Sequence, residues 1–469
     1  RGGAPAIPQR NGAESMADSV PPPDSSSSDA PRRTSLGVIF LTLFLDLVGF
    51  SIIFPLFPAI LDHYSDDRAL MWLVETLRSL FEIEDASDPR VQALFGGVLG
   101  SLYSLLQFFA SPFWGRMSDR IGRKPVLSFT VAGIGVSYLL WAFSGSFSLL
   151  ILSRLLAGAM SGNIATATAA VSDVTSRADR AKGMGIVGAA FGLGFVLGPA
   201  IGGTLSLIDL TEIAPGLVAY GVHPFTACAL GAGALSIINL VWIRRRFTET
   251  LPPERRNAHQ VRSLLPKIGL GGRFGPGVAR SNLGNFFLLL SFSGMEFTLS
   301  FLARDRFHWT PWGITGMFVH IGLVLAIVQG GIVRRVAPRL GEKRMALVGL
   351  ALVSAGLAGI AADWGTASFW VSLTALAAGS GFAFPSFSSL VSLHSAEEVQ
   401  GEALGLFRAL GALARAIGPF AAAILYWQFG MATPYWSGAL FLILPFLIVL
   451  TIPTPDRGAR TPSESASTA

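Results

Sequence analysis

Apolar runs long enough to cross a bilayer recur twelve times along this chain. They fall near 36–60, 92–114, 125–144, 148–174, 183–207 and 224–243, then near 281–303, 313–333, 344–362, 367–393, 402–427 and 433–452. A spanning helix needs roughly 20 such residues. The pattern predicts an all-α membrane protein with twelve transmembrane helices in two pseudo-symmetric six-helix bundles, 35–243 and 281–452, joined by a polar linker over 244–280. The ends, 1–34 and 453–469, are rich in Ser, Pro and Ala and read as disordered tails. Because the chain opens on Arg1, Met16 is a candidate start. Within the acidic loop 61–91, Leu70, Leu73, Val74, Leu77, Leu80 and Phe81 recur at helical spacing. They predict a short amphipathic helix lying on the outer interface.

The halves repeat weakly. Gly185, Gly198 and Pro199 align with Gly405, Gly418 and Pro419 at one constant offset, and Gly122-Arg123-Lys124 aligns with Gly341-Glu342-Lys343 at nearly the same offset. A duplicated six-helix unit is the build of an alternating-access carrier, whose substrate site lies between the halves near the midplane.

Composition narrows the classes. Of 469 residues, 51% are hydrophobic and 14% charged, against roughly 25% charged in soluble domains. The 53 glycines suit membrane helices, which associate by close backbone approach rather than by a hydrophobic drive. Cys228 is the one cysteine, so no internal disulfide framework or Cys-based cluster is expected, and the six His show no metal-ligand spacing. No metal or cofactor is expected. The net charge of +6 is not a nucleic-acid signal, because the Lys and Arg sit in loops between apolar runs. There they set orientation. Loops 115–124, 175–182 and 334–344 are basic, whereas 145–147, 208–223, 363–366 and 428–432 carry no Lys or Arg. Both termini are therefore expected on the cytoplasmic side.

Several ionisable residues fall inside predicted spans, where each costs roughly 2.5–3.5 kcal/mol or more near the bilayer centre. They are Asp46, Arg154, Glu296, Arg408 and Arg415. Arg408 and Arg415 are seven apart and share a helix face. Gln107, Asn163, Asn285 and Gln329 are polar candidates for the same cavity, or for buried interhelical hydrogen bonds. Lipid disfavours a charged carboxylate and a neighbouring Arg favours it, so an acid balanced between the two can take a proton on one side and release it on the other. Asp46 is the first candidate for that role and Glu296 the second. Three arginines against two carboxylates make the cavity positive once an acid is protonated, which points to a small amphipathic organic anion as substrate.

The loop after the second run reads Gly115-Arg-Met-Ser-Asp119-Arg120-Ile-Gly122-Arg123-Lys124. This resembles the GxxxDRxGRR/K loop of the major facilitator superfamily, and the resemblance implies a cytoplasmic gate in which Asp119 accepts from a neighbouring Arg and faces a helix N-terminus of the other half. The fifth run carries Gly185, Gly194, Gly198-Pro199 and Gly202-Gly203. That register is similar to the helix-5 pattern of the superfamily's drug/proton antiporters. Arg154 with Gly158 resembles its helix-4 arginine motif, linked there to proton coupling. Phe44-Leu-Asp46-Leu-Val-Gly49-Phe, Ser293 to Phe301 and Leu410 to Pro419 resemble the animal tetracycline-transporter-like branch. The resemblance implies a carrier of organic anions or drug-like molecules, proton-coupled, monomeric, in a plasma or internal membrane such as the nuclear envelope. The second half lacks the loop's Asp between Gly331 and Gly341, so a mirror-image gate is not expected. The competing readings are an uncoupled uniporter and a transport-inactive receptor or scaffold. Without a GxxxxGK[ST] phosphate loop or clustered catalytic side chains, a primary pump and an enzyme are not expected.

Overall fold

Each apolar run forms a helix because only helical backbone satisfies its own N–H and C=O groups in lipid. The computed structural model describes residues 2–3, 29–81, 89–175, 180–251, 253, 256, 274–395 and 400–454. Among these, twelve segments are long and apolar enough to span a membrane, and no strand occurs. Spans 1 to 6 are built on helices Asp29–Ser51 (continuing through Phe57–His63), Pro89–Ile121, Arg123–Ala142, Phe147–Met160 with Asn163–Val174, Arg180–Leu205 and Thr226–Arg246. Spans 7 to 12 are Pro276–Phe307, Pro311–Ile327, Glu342–Ala362, Thr366–His394, Gln400–Phe429 and Thr433–Phe441 with Ile443–Leu450.

The helices outrun the apolar windows. Span 2 carries Arg116, Asp119 and Arg120 on its last turns, because hydrogen bonding continues where the lipid stops. The linker predicted over 244–280 is trimmed from both ends: span 6 runs through Arg246 and span 7 begins at Pro276. Residues 252, 254, 255 and 257–273 lie outside the described set, as do 1, 4–28 and 455–469 of the predicted tails. The helix of span 1 starts at Asp29, inside the tail predicted over 1–34.

The expected amphipathic helix is present as Arg68–Phe81. Leu70 is buried, Leu73 and Val74 pack on the core, and Met71 and Trp72 are exposed. Asp67 anchors it: one carboxylate oxygen accepts from Ala69 N at 2.8 Å, the other from Phe147 N at 3.0 Å at the head of span 4.

The sequence repeat is visible in the backbone. Gly122 and Gly341 have φ of +108° and +78° and precede spans 3 and 9 respectively. A side chain is strained in that region, so glycine turns the chain at both places. The two turns are then tied by opposite chemistry. At span 3, Glu249 accepts from Arg123 N (2.8 Å) and Lys124 N (3.0 Å), placing an anion on a helix N-terminus. At span 9, Lys343 Nζ donates to Leu450 O (2.8 Å) and Ile452 O (2.7 Å), placing a cation on the end of span 12. Span 8 ends differently from span 2. A π segment, Val328–Ile332, leads into a short helix, Val333–Leu340.

The bundles meet most extensively where span 2 packs on span 11 and span 5 on span 8. Gly97 lies against Pro419 and Ala423, Gly203 against Thr315, and Gly322 against Val196. Small residues at these crossings let the backbones approach.

Candidate transport site

Span 1 brings Asp46 and Phe50, span 2 Tyr103, span 3 Ile134 and Tyr138, and span 4 Arg154 and Ala157 to one small cavity of about 10 Å³, room for about one water. Phe50 and Tyr103 pack at 4.8 Å between ring centres, tilted by 30°. Asp46 faces Asn163, which opens the second half of span 4 after the break at Ser161-Gly162.

Arg154 is 7% exposed. Its Nε lies 3.3 Å from Ser153 Oγ, and its guanidinium sits 5.0 Å over the Trp141 ring. Its electrostatic neighbours are Tyr138 and Tyr103 rather than an acid, and its Nη2 is buried with no hydrogen-bond partner. Asp46 and Arg154 line the same space, yet no ion pair forms between them.

The second bundle supplies the other charges. Glu296 on span 7 faces Arg415 on span 11, and Arg408 lies within electrostatic reach of Arg415 on the shared face. Arg408 crosses to the first bundle, where its Nη1 donates to Thr168 Oγ1 of span 4. Tyr103 links the two groups, lying within reach of Asp46, Arg154 and Arg415. Arg408 thus crosses the seam between the bundles, whereas Asp46 and Arg154 lie in a cavity lined by the first bundle and are linked to Arg415 through Tyr103. Sequence reasoning missed Phe50, Tyr103, Tyr138 and Thr168, since aromatic and hydroxyl residues are ordinary in membrane helices. Of the polar candidates, Asn163 joins the site and Gln329 lies against Gly192 across the seam. Gln107 and Asn285 are buried.

The motif loop forms a polar knot. Arg123 Nη1 is 2.7 Å from Asp119 Oδ1 and 2.6 Å from Ser118 Oγ, and Arg123 Nε is 2.9 Å from Asp173 Oδ2. Thr250 adds a bond to Asp173 at 3.1 Å. Ser118, Asp119 and Asp173 belong to the first bundle and Thr250 to the linker after it. Asp119 keeps 42% of its side chain exposed, and among the described residues its ion-pair partner is Arg123 of its own bundle. Gly115 and Arg120 lie on the last turns of span 2 and Gly122 at the turn itself. Asp173 and Glu249, which complete the knot, are distant in sequence and carry no motif.

The helix-5 glycines form a packing face. Gly194, Gly198 and Gly202, four apart, lie against Leu47, Val48, Ser51 and Ile52 of span 1. Ser51 Oγ donates to Gly194 O at 3.0 Å. Gly203, one position on, meets Thr315 of span 8 in the other bundle. Pro199 sits within the helix, and Gly185 lies on it but outside the residues whose surroundings are described. A Cβ on Gly198 would meet Val48 O at 2.6 Å as well as the Ser51 hydroxyl, whereas one on Gly405 would meet nothing. Gly198→Leu is therefore expected to cost about 2–3 kcal/mol or more by overpacking. Gly405→Ala should be neutral or slightly stabilising. Thermal unfolding of the two purified variants in detergent checks the contrast.

Among the described residues, no three His, Cys, Asp or Glu side chains gather as a metal would need.

Two repeated six-helix bundles, meeting along a seam that holds buried charges in mid-membrane, define an integral multi-pass membrane transporter. The Major Facilitator Superfamily model matches residues 39–419 and 333–468, and the chain belongs to that family. It is 33% identical to major facilitator superfamily domain-containing protein 10 of Bos taurus, over 93% of this chain and 97% of that one. It is 27% identical to the class H tetracycline resistance protein of Pasteurella multocida, over 90% of this chain and 95% of that one. The crystal structure of the human organic anion transporter MFSD10 (TETRAN) superposes with a TM-score of 0.73 at 31% identity, covering 89% of this chain and 99% of that one.

Proposed function

We propose that this chain carries small amphipathic organic anions and exchanges them for protons by alternating access. The observation that carries the reading is Arg154, a buried guanidinium with an unpartnered Nη2 in a cavity shared with Asp46. A buried donor without a partner is costly, and an anionic group arriving at the cavity would relieve that cost. The aromatic walls, Phe50, Tyr103 and Tyr138, would meet the apolar body of such a ligand once the small cavity widens as the carrier turns. The human relative whose structure resembles this one is described as an organic anion transporter, which supports the same substrate class.

Asp46 and Glu296 are the proton carriers of this reading, one in each bundle and each beside the seam. Arg408 and Arg415 keep the second bundle positive where it approaches Tyr103 and Thr168 of the first. With both termini cytoplasmic, the Asp119 knot is the inner gate, and its partners among the described residues, drawn from the first bundle and the linker, suit an inner gate not engaged across the seam. One chain carries the whole cavity, so a monomer suffices.

The test is uptake into proteoliposomes under an imposed pH gradient, with panels of organic anions and cations. Anions should accumulate against their gradient and cations should neither accumulate nor compete. Uptake of anions that ignores the gradient leaves an uncoupled uniporter. No uptake of any solute leaves a receptor or scaffold.

A further inference from the structure

At the end of the molecule opposite the Asp119 knot, the bundles are joined by one guanidinium. Arg304 sits on span 7. Its own bundle sets its position: Nε donates to Asp305 Oδ1 at 2.8 Å, Asp305 Oδ2 accepts from the Tyr426 hydroxyl of span 11 at 2.8 Å, and the guanidinium lies 5.5 Å from the Phe301 ring centre. Its Nη1 then reaches across the seam. It donates to Gln92 Oε1 of span 2 at 2.6 Å and lies 3.3 Å from both carboxylate oxygens of Asp62, at the end of span 1. The aromatic seal beneath is also shared between bundles: Phe57 meets Phe297 at 5.1 Å, and Ser300 Oγ donates to Phe54 O at 3.0 Å.

We propose that Arg304 is the positioning residue that latches this end of the seam shut, and that releasing Asp62 and Gln92 is the step that opens the cavity there. The asymmetry of its contacts is the argument. Nε is committed to the second bundle and Nη1 to the first, while Nη2 is buried with no partner. The first-bundle side is the weaker one. Nη1 is shared among three acceptors, and half of the Asp62 side chain is open to water, which can replace it as a partner. Separation therefore breaks at Nη1 and leaves Arg304 docked on Asp305. The same seam carries a second arginine tie from the second bundle, Arg408 to Thr168, within the spans. The inference rests on the alternating-access reading, but its test needs neither substrate nor proton gradient.

The experiment uses the full chain in lipid nanodiscs and a membrane-impermeant thiol reagent. Cys228, the one native cysteine, is wholly buried in the first bundle and reports any global loosening. Ser300→Cys, 1% exposed in the closed seam, reports opening. Adding Arg304→Gln to Ser300→Cys should raise labelling at 300 about tenfold, the effect of losing one charge-assisted tie between two states. Arg304→Lys should fall between. Asp62→Asn with Gln92→Ala, which leaves the second bundle untouched, should raise it as Arg304→Gln does. Where Arg304→Gln also exposes Cys228, the Asp62/Gln92 pair decides. Unchanged labelling at 300 in that pair, with Cys228 still protected, overturns the latch.

Discussion

Arg154→Gln is expected to lower organic-anion uptake about 100-fold in kcat/KM while leaving the folded protein nearly as stable as before. The two halves of that result come from different contacts. Truncating one side of a buried charge-assisted contact costs about 2–5 kcal/mol, and the anion is the only partner proposed for Nη2. The contact of the guanidinium with the Trp141 ring contributes about 0.5–2 kcal/mol to stability. Its loss is offset, because the variant no longer buries an unpaired donor. Arg154→Lys keeps the charge but not the planar fork and should recover part of the activity. Initial uptake rates, with unfolding temperature measured on the same preparations, separate the two effects. A variant that unfolds early and transports in proportion to the folded fraction would make Arg154 a structural residue.

The fold was legible because lipid imposes a length and a polarity that few other environments do. Twelve apolar runs became twelve spans, and the helix-spaced apolar positions Leu70, Leu73 and Val74 became one helix, Arg68–Phe81. The ends of helices were less legible. Arg116 and Asp119 stand on the last turns of span 2 because a helix ends at a turn residue, here Gly122, rather than at the edge of its apolar run. The in-span charges were found for the same reason as the spans: an ionisable residue in an apolar run is conspicuous. Their pairings were not. Asp46 turning to Asn163, Arg408 reaching Thr168 and Arg123 reaching Asp173 all depend on helix rotation and crossing angle, which the order of residues does not state. The helix-5 glycines were recognised as a register, but only the packing shows what each one does. Gly198 meets span 1 and Gly203 meets span 8. Arg304 escaped notice because it lies at the end of span 7, where an arginine reads as ordinary interfacial anchoring.

The position of Asp46 leads to the second large effect. Asp46→Asn is expected to uncouple anion movement from the pH gradient while still permitting exchange. Asn has nearly the same shape and can still face Asn163 from span 1, so the cavity wall of Phe50, Tyr103 and Tyr138 should stay in place. It cannot bind and release a proton, and that is the only property removed. One coupled proton makes each unit of pH gradient worth about 1.4 kcal/mol, or about tenfold accumulation. With the membrane potential clamped at zero, because inward anion and outward proton together move two charges, the wild-type chain should hold about ten times more anion inside than outside per unit of gradient, and Asp46→Asn about the same amount on both sides. Counterflow, in which labelled anion exchanges for unlabelled anion without any gradient, should survive in the variant. Glu296→Gln serves as the comparison. Glu296 faces Arg415, so its replacement changes the charge of the second bundle's wall as well as removing a proton site, and it should weaken anion binding along with coupling. If Asp46→Asn keeps the tenfold accumulation and Glu296→Gln abolishes it, the proton travels through the second bundle instead, and Asp46 serves only to hold Asn163 and the break in span 4.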